Sequence, residues 1–146
     1  GGKNFVRTML RLGADRDRLS VVNDQIGAPT SADVLADTTL QILAQSGGDI
    51  SAMLREKGGL INVAASGETS WHGFAHEIFS LARRHGADLS VEVVDGILSS
   101  DYPAPARRPL NSRLSLNRLR ERFGITPPDW QTALGEVIDE IYSLRK

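Results

Sequence analysis

Residues 21–36, VVNDQIGAPTSADVLA, join the end of an apolar strand to a polar turn and then to a helix. The turn carries amide and carboxylate groups at 23–25, and the glycine and proline that follow indicate irregular backbone. Thr30 or Ser31 can then cap a helix that runs to position 44. In α/β proteins, a strand end beside a helix N-terminus often holds an anionic ligand. The local pattern by itself favours an ordinary strand-to-helix connection.

The composition indicates a globular protein of one domain. The 146 residues carry a net charge of −1, with 40% hydrophobic and 24% charged residues. No apolar run approaches the ~20 residues that span a bilayer. The near-neutral charge gives no overall attraction to nucleic acid, so we expect neither a nucleic-acid nor a membrane partner. The chain has no cysteine, which removes disulfides and thiol chemistry and fits a cytoplasmic protein.

Hydrophobic periodicity predicts a mixture of helices and strands. Apolar spacing and capping residues predict helices at 4 to about 12, 31–44, 50–57, 71–82 and 116–123, and a last helix after 129. Short apolar runs predict strands at 19–22, 60–64 and 89–94.

A basic segment lies in the last third of the chain. Between Arg107 and Arg122 there are six arginines and a single acid, Glu121. Arg107 and Arg108 follow two prolines that stiffen the loop, so they lose less entropy on binding, and guanidinium geometry matches phosphate oxygens. An ion pair with the acidic last helix would explain these two arginines equally well. Asn111 can bind a sugar hydroxyl or cap a turn.

Several catalytic and metal-binding patterns are incomplete. His72 and His76 have the spacing of metal ligands on a helix, but no third ligand is nearby and a solvated helix face explains them. The sequence contains no Gly-x-Ser-x-Gly elbow, no Gly-x-Gly-x-x-Gly loop and no Walker sequence. Tyr142 and Lys146 match the Tyr-x-x-x-Lys pair of short-chain dehydrogenases. Because they stand at the fraying end of the last helix, we interpret this match as coincidence.

Four segments together closely resemble the dTDP-4-dehydrorhamnose reductase family. They are NFVRTML at 4–10, NDQIGAPT at 23–30, AASGETSW at 64–71 and YPAPARRPLNSRL at 102–114, and PDW at 128–130 fits as well. Their order and spacing agree over essentially the whole chain, so the joint resemblance is far more specific than any single motif. It covers only about the second half of such an enzyme.

The resemblance implies a fold as well as a family. Members are extended short-chain dehydrogenases, and the fold class implied is α/β, with this chain as a mixed α+β lobe. Residues 1–146 would form a single substrate-binding C-terminal domain, including the last strand or strands that such enzymes add to the Rossmann sheet. The N-terminal NAD(P)-binding domain would be missing. The catalytic Thr or Ser, Tyr and Lys are expected upstream of Gly1, together with the site for NADPH or NADH.

The reaction implied is the NADPH- or NADH-dependent reduction of dTDP-6-deoxy-L-lyxo-4-hexulose to dTDP-L-rhamnose, a step toward cell-surface polysaccharides such as O-antigen. This chain alone would bind the dTDP-sugar without reducing it. Apolar surface left exposed where the missing domain packs would favour self-association, such as a homodimer. The alternative is a non-catalytic binding module, because the same fold family includes a regulatory subunit of methionine adenosyltransferase.

The resemblance also implies substrate-binding positions. Arg107 and Arg108 would lie near the pyrophosphate, as arginines do in extended family members. The positions that would border the sugar and nucleotide are Asn4, Gln25, Pro29, Thr30 and Asn111. Such reductases are often described as magnesium-dependent, and some associate through acidic residues, for which Asp33 and Glu140 are the positions to check. No catalytic or cofactor-binding residue is expected in this chain, and no metal site is assigned.

Overall fold

The computed structural model describes residues 4–102, 106 and 108–144, where the chain forms six α-helices and four strands. The helices are α1 (Phe5–Asp15), α2 (Ala32–Ala44), α3 (Ile50–Lys57), α4 (Trp71–Arg84), α5 (Asn117–Phe123) and α6 (Trp130–Ser143). The strands are β1 (Arg18–Val22), β2 (Ile26–Gly27), β3 (Thr69–Ser70) and β4 (Val93–Ile97), and a 3-10 turn at Ser99–Asp101 follows β4. None of the helices in these ranges is long and apolar enough to cross a bilayer.

The strands form two small sheets. β1 and β4 pair in parallel along their whole length. β2 and β3 pair antiparallel, with Ile26 opposite Ser70, and an isolated bridge adds Asn111 beside Ile26. Consequently the polar turn after β1, the segment before α4 and the segment around Asn111 meet at β2.

Polar N-cap side chains start five of the helices. A side-chain oxygen of each cap accepts a hydrogen bond from a backbone N–H of the first turn, which would otherwise have no partner. The caps are Asn4 for α1, Ser31 for α2, Asp49 for α3, Ser70 for α4 and Asp129 for α6. Of the two candidate caps for α2, the structure therefore uses Ser31. At the other end of α5, Gly124 adopts a φ of 65°, the left-handed conformation that commonly ends a helix.

Apolar side chains gather in two cores. The larger one packs α1, α4 and α6 around β1, and Ile78, Phe79 and Ile138 are buried at its centre. The smaller core lies between α3 and α5, where Met53 and Leu119 are buried. A side-chain hydrogen bond from Gln45 Nε2 to the carbonyl of Phe123, at 2.7 Å, links α2 to the end of α5.

Two strand predictions were wrong, one because no strand forms and one because the strand lies further along the chain. Residues 60–64 form no strand, because Ile61 and Val63 pack against the smaller core instead of joining a sheet. The strand expected at 89–94 lies at Val93–Ile97, and Val91 is buried in the larger core just before it. Short apolar runs do not distinguish a strand from another buried segment. The first helix also continues to Asp15, beyond its predicted end near position 12.

Candidate functional site

The polar turn after β1 holds the neighbouring strand end. The backbone N–H of Asn23 donates to the carbonyl of Ile97 at 2.9 Å. The Asp24 carboxylate accepts hydrogen bonds from the Ser99 backbone N–H at 3.0 Å and from its hydroxyl at 2.8 Å. The carboxylate that the sequence places beside a ligand is therefore committed to the turn that follows β4.

The hydroxyl of Thr30 is likewise engaged within the fold. It donates to the carbonyl of Ala28 at 3.0 Å and accepts from the backbone N–H of Ala65 at 3.0 Å. Thr30 thus ties the loop before α2 to the segment before β3. A hydroxyl with both of these bonds keeps one acceptor site for any ligand.

A cleft of about 620 Å³ opens between the start of α1, the loop at 29–33, the start of α4 and one face of α6. Three of the sequence-predicted positions line it: Asn4, Pro29 and Thr30. The side-chain oxygen of Asn4 accepts from the backbone N–H of Arg7 at 2.9 Å, which leaves its NH₂ group as a donor.

Aromatic rings form one wall of this cleft. The Phe5 ring lies 4.8 Å from that of Trp71 and 5.5 Å from that of Phe74, and Phe74 meets Trp130 edge-on at 5.9 Å. Trp71 is 40% exposed, whereas Phe74 and Trp130 are buried. An aromatic face beside polar groups suits a ligand that carries a flat base or a sugar ring.

Gln25 and Asn111 lie at β2. Ile26, next to Gln25, donates its backbone N–H to the carbonyl of Leu110 and accepts from the backbone N–H of Ser112, both at 2.8 Å. Asn111 is held between these two bonds, so backbone pairing brings the two predicted amides to neighbouring positions. Pro29, on the cleft, is two residues beyond the end of β2.

Arg108 is exposed, and Arg107 lies outside the described residues. None of the ion pairs among the described residues includes Arg108. In the acidic last helix, α6, the Asp139 carboxylate instead contacts His85, whose Nε2 lies 2.8 Å away. Of the two explanations that the sequence left open, the ion pair with the last helix is not formed by Arg108.

Two acidic side chains line the cleft, Asp33 and Glu140. Within the described ranges, no three His, Cys, Asp or Glu side chains come together as a metal site. Asp33 and Glu140 share the cleft, but no described contact joins their carboxylates, so the described residues do not form a site that fits a magnesium ion.

Of the two histidines of α4, His72 is less exposed than the sequence suggests. His72 is half-buried and its Nε2 lies 3.0 Å from the carbonyl of Val94, in β4. The Nε2 atoms of His72 and His76 are 3.2 Å apart. His72 therefore joins α4 to β4, and only His76 fits the expected solvated face.

Sequence reasoning missed one polar cluster, which surrounds Asn111. Arg113 donates from its backbone N–H and from Nε to the side-chain oxygen of Asn111, and its terminal nitrogen lies 2.8 Å from the Glu68 carboxylate. Glu68 and Arg113 are 45 positions apart, so no local pattern joins them. The available signal was that Glu68 and Arg113 carry opposite charges and lie in two of the segments that resemble the family, 64–71 and 102–114.

Comparison with known proteins identifies the family. A family model described as the RmlD substrate binding domain matches residues 1–143. The chain belongs to this family. A dTDP-4-dehydrorhamnose reductase of Shigella flexneri is 39% identical over 142 residues, which are 97% of this chain and 46% of that protein.

Solved structures agree with the family assignment. A dTDP-4-dehydrorhamnose reductase from Clostridium acetobutylicum superposes with a TM-score of 0.80 at 34% identity, covering 96% of this chain and 44% of that one. The Bacillus anthracis enzyme, solved in complex with NADP, gives 0.74 at 32% identity and covers 100% and 44%. The chain thus spans about half the length of the relatives it matches. The mixed α+β lobe expected from the resemblance is confirmed.

Proposed function

We propose that this chain is the substrate-binding part of a dTDP-4-dehydrorhamnose reductase, which reduces dTDP-6-deoxy-L-lyxo-4-hexulose to dTDP-L-rhamnose for cell-surface polysaccharides. The family match over residues 1–143 carries this proposal. The relatives compared above are named reductases, which favours an enzyme over a regulatory binding module. On this proposal residues 1–146 are one substrate-binding domain of a cytoplasmic enzyme.

The role we assign to this chain is to hold the dTDP-sugar. The cleft beside Asn4, Pro29 and Thr30 has an aromatic wall and donor groups, which suit a sugar and a nucleobase. Arg108 is exposed and outside the ion pairs described above, so its guanidinium can neutralise a diphosphate. We assign Arg107 the same role from its position in the sequence. Fixing the sugar in one orientation lowers the entropy cost of hydride transfer.

The nicotinamide cofactor, NADPH or NADH, would be bound by a Rossmann domain outside this chain. The sequence has no glycine-rich dinucleotide loop, so its own residues do not fit that cofactor. The Bacillus anthracis relative was solved with NADP, which supports the cofactor class for the whole enzyme. The catalytic Thr or Ser, Tyr and Lys belong, on this proposal, to the same absent domain.

A further feature of the proposed enzyme is the apolar surface of α2 and α3. Exposed leucines on α2 and α3, such as Leu40 and Leu54, would be covered in a homodimer or by the Rossmann domain.

Calorimetric titration with dTDP tests the proposed role of this chain. Removing a guanidinium that binds phosphate costs about 1.5–3 kcal/mol, so we expect Arg108→Ala to raise the Kd about ten- to a hundredfold. Arg84→Ala is the control, because Arg84 is an exposed arginine at the far end of α4 from the cleft. Equal affinity of the Arg108→Ala and wild-type proteins would contradict the phosphate role.

A further inference from the structure

The side-chain amide of Asn111 is held in one orientation. Its Oδ1 atom accepts from the Arg113 backbone N–H at 3.1 Å and from Arg113 Nε at 2.9 Å. Both partners are obligatory donors, so the atom that faces them must be the amide oxygen. The NH₂ group of Asn111 therefore points away from Arg113, and it has no hydrogen bond to another described residue.

Glu68 forms an ion pair with Arg113, the residue that donates to Asn111. Its carboxylate lies 2.8 Å from a terminal nitrogen of Arg113, and both side chains are about half exposed. Glu68 directly precedes β3, which pairs with β2, and β2 in turn flanks Asn111 through the Ile26 bridge. Asn111 is therefore held in two ways. Its backbone pairs with β2, and its side chain contacts Arg113, which in turn contacts Glu68.

We propose that Asn111 binds the nucleotide-sugar as a donor, through its NH₂ group, to an acceptor oxygen of the ligand, and that Arg113 and Glu68 are positioning residues for it. The inference rests on the proposed function and names the chemistry of one contact in that site. An amide locked with its NH₂ outward selects phosphate or carbonyl oxygens, which only accept, over groups that only donate.

The decisive variant is Asn111→Asp, measured in the protein in its full length by calorimetry with dTDP-L-rhamnose. A carboxylate keeps both hydrogen bonds from Arg113 but has no donor to offer the ligand. We expect the Kd to rise at least about tenfold, because an acceptor oxygen would then face a negative charge. The melting temperature is expected to equal that of the wild-type protein, since both hydrogen bonds from Arg113 remain.

Glu68→Gln tests the positioning role. Exposed ion pairs contribute little, so we expect the Kd to rise only about two- to fivefold and the difference to vanish at high salt. Glu68→Asp should restore part of the affinity. The matched control is Asp95→Asn, which removes the exposed pair of Asp95 with Arg18, 2.7 Å long, from the parallel sheet. Equal affinities for Glu68→Gln and the wild-type protein would overturn the positioning role.

Labelling with [¹⁵N]asparagine adds a readout that stability does not affect. The side-chain NH₂ resonances of Asn111, assigned by their loss in Asn111→Asp, should shift when dTDP-L-rhamnose is added. Titration with pyrophosphate and with thymidine tells which part of the ligand supplies the oxygen. If the wild-type protein binds no dTDP-sugar, the proposed function fails and this inference with it. If it binds and Asn111→Asp binds equally well, only the inference is overturned.

Discussion

At the scale of single residues, Gly13 shows how closely α1 and α4 approach each other. A Cβ atom built at Gly13 would lie 2.6 Å from Cε1 of Phe79 and 3.2 Å from a methyl of Val91. Phe79 is only 2% exposed, so its ring has little room to move away. This close approach explains why a glycine, a poor helix former, stands inside α1.

We expect Gly13→Ala to destabilise the protein by about 1–2 kcal/mol in urea denaturation, because overpacking outweighs the gain in helix propensity. Gly135→Ala is the matched control. Gly135 lies inside α6, where an added Cβ would meet nothing within 4 Å. The Gly135→Ala variant should raise the free energy of unfolding by about 0.5–1 kcal/mol. A stabilised Gly13→Ala variant would show that the two helices pack less closely than described.

Three of the positions selected from the sequence share a cleft, but the hydrogen bonds they make could not be predicted. The segment resemblance selected Asn4, Pro29 and Thr30, which line one cleft. It could not show that the hydroxyl of Thr30 makes two hydrogen bonds within the fold, because one partner, Ala65, is 35 positions away. Whether the seven selected positions touch a substrate stays a prediction.

At the scale of elements, helix starts were predictable and strand pairing was not. Ser70 and Asp129 cap the helices that the sequence starts at 71 and after 129, and such starts are predictable because a cap depends on residues within one turn. Pairing of β1 with β4 joins segments more than 70 positions apart, and no local pattern contains that information. The extended run at 60–64 lacks a partner strand and packs on the smaller core instead.

Removing the cap of α4 should weaken the whole protein. The hydroxyl of Ser70 accepts from the backbone N–H of Gly73 at 3.0 Å, and α4 contributes to the larger core. We expect Ser70→Ala to lower the free energy of unfolding by about 1 kcal/mol. Ser80→Ala, at an exposed interior position of the same helix, should be neutral or slightly stabilising. Equal effects of the two variants would mean that the cap does not matter.

At the scale of the whole molecule, the smaller core joins α3 and α5 to the rest. Leu119 is fully buried there, although α5 is only seven residues long. Such a short helix depends on tertiary packing for its stability.

We therefore expect Leu119→Ala to cost about 2–5 kcal/mol in chemical denaturation, as buried leucines do. Leu114→Ala should change stability by less than about 0.5 kcal/mol, since Leu114 is 53% exposed. A single unfolding transition in both variants would indicate that the two cores unfold together. A small effect of Leu119→Ala would mean that the smaller core adds little stability.

The proposed function requires this chain to bind the dTDP-sugar of a dTDP-4-dehydrorhamnose reductase. Its most direct test is NADPH oxidation by the full-length protein with dTDP-6-deoxy-L-lyxo-4-hexulose, with the product identified by mass spectrometry and NMR. We expect dTDP-L-rhamnose in amounts equal to the NADPH consumed. We also expect Arg108→Ala to raise the KM about tenfold or more. A folded protein that forms no dTDP-L-rhamnose would contradict the proposed function.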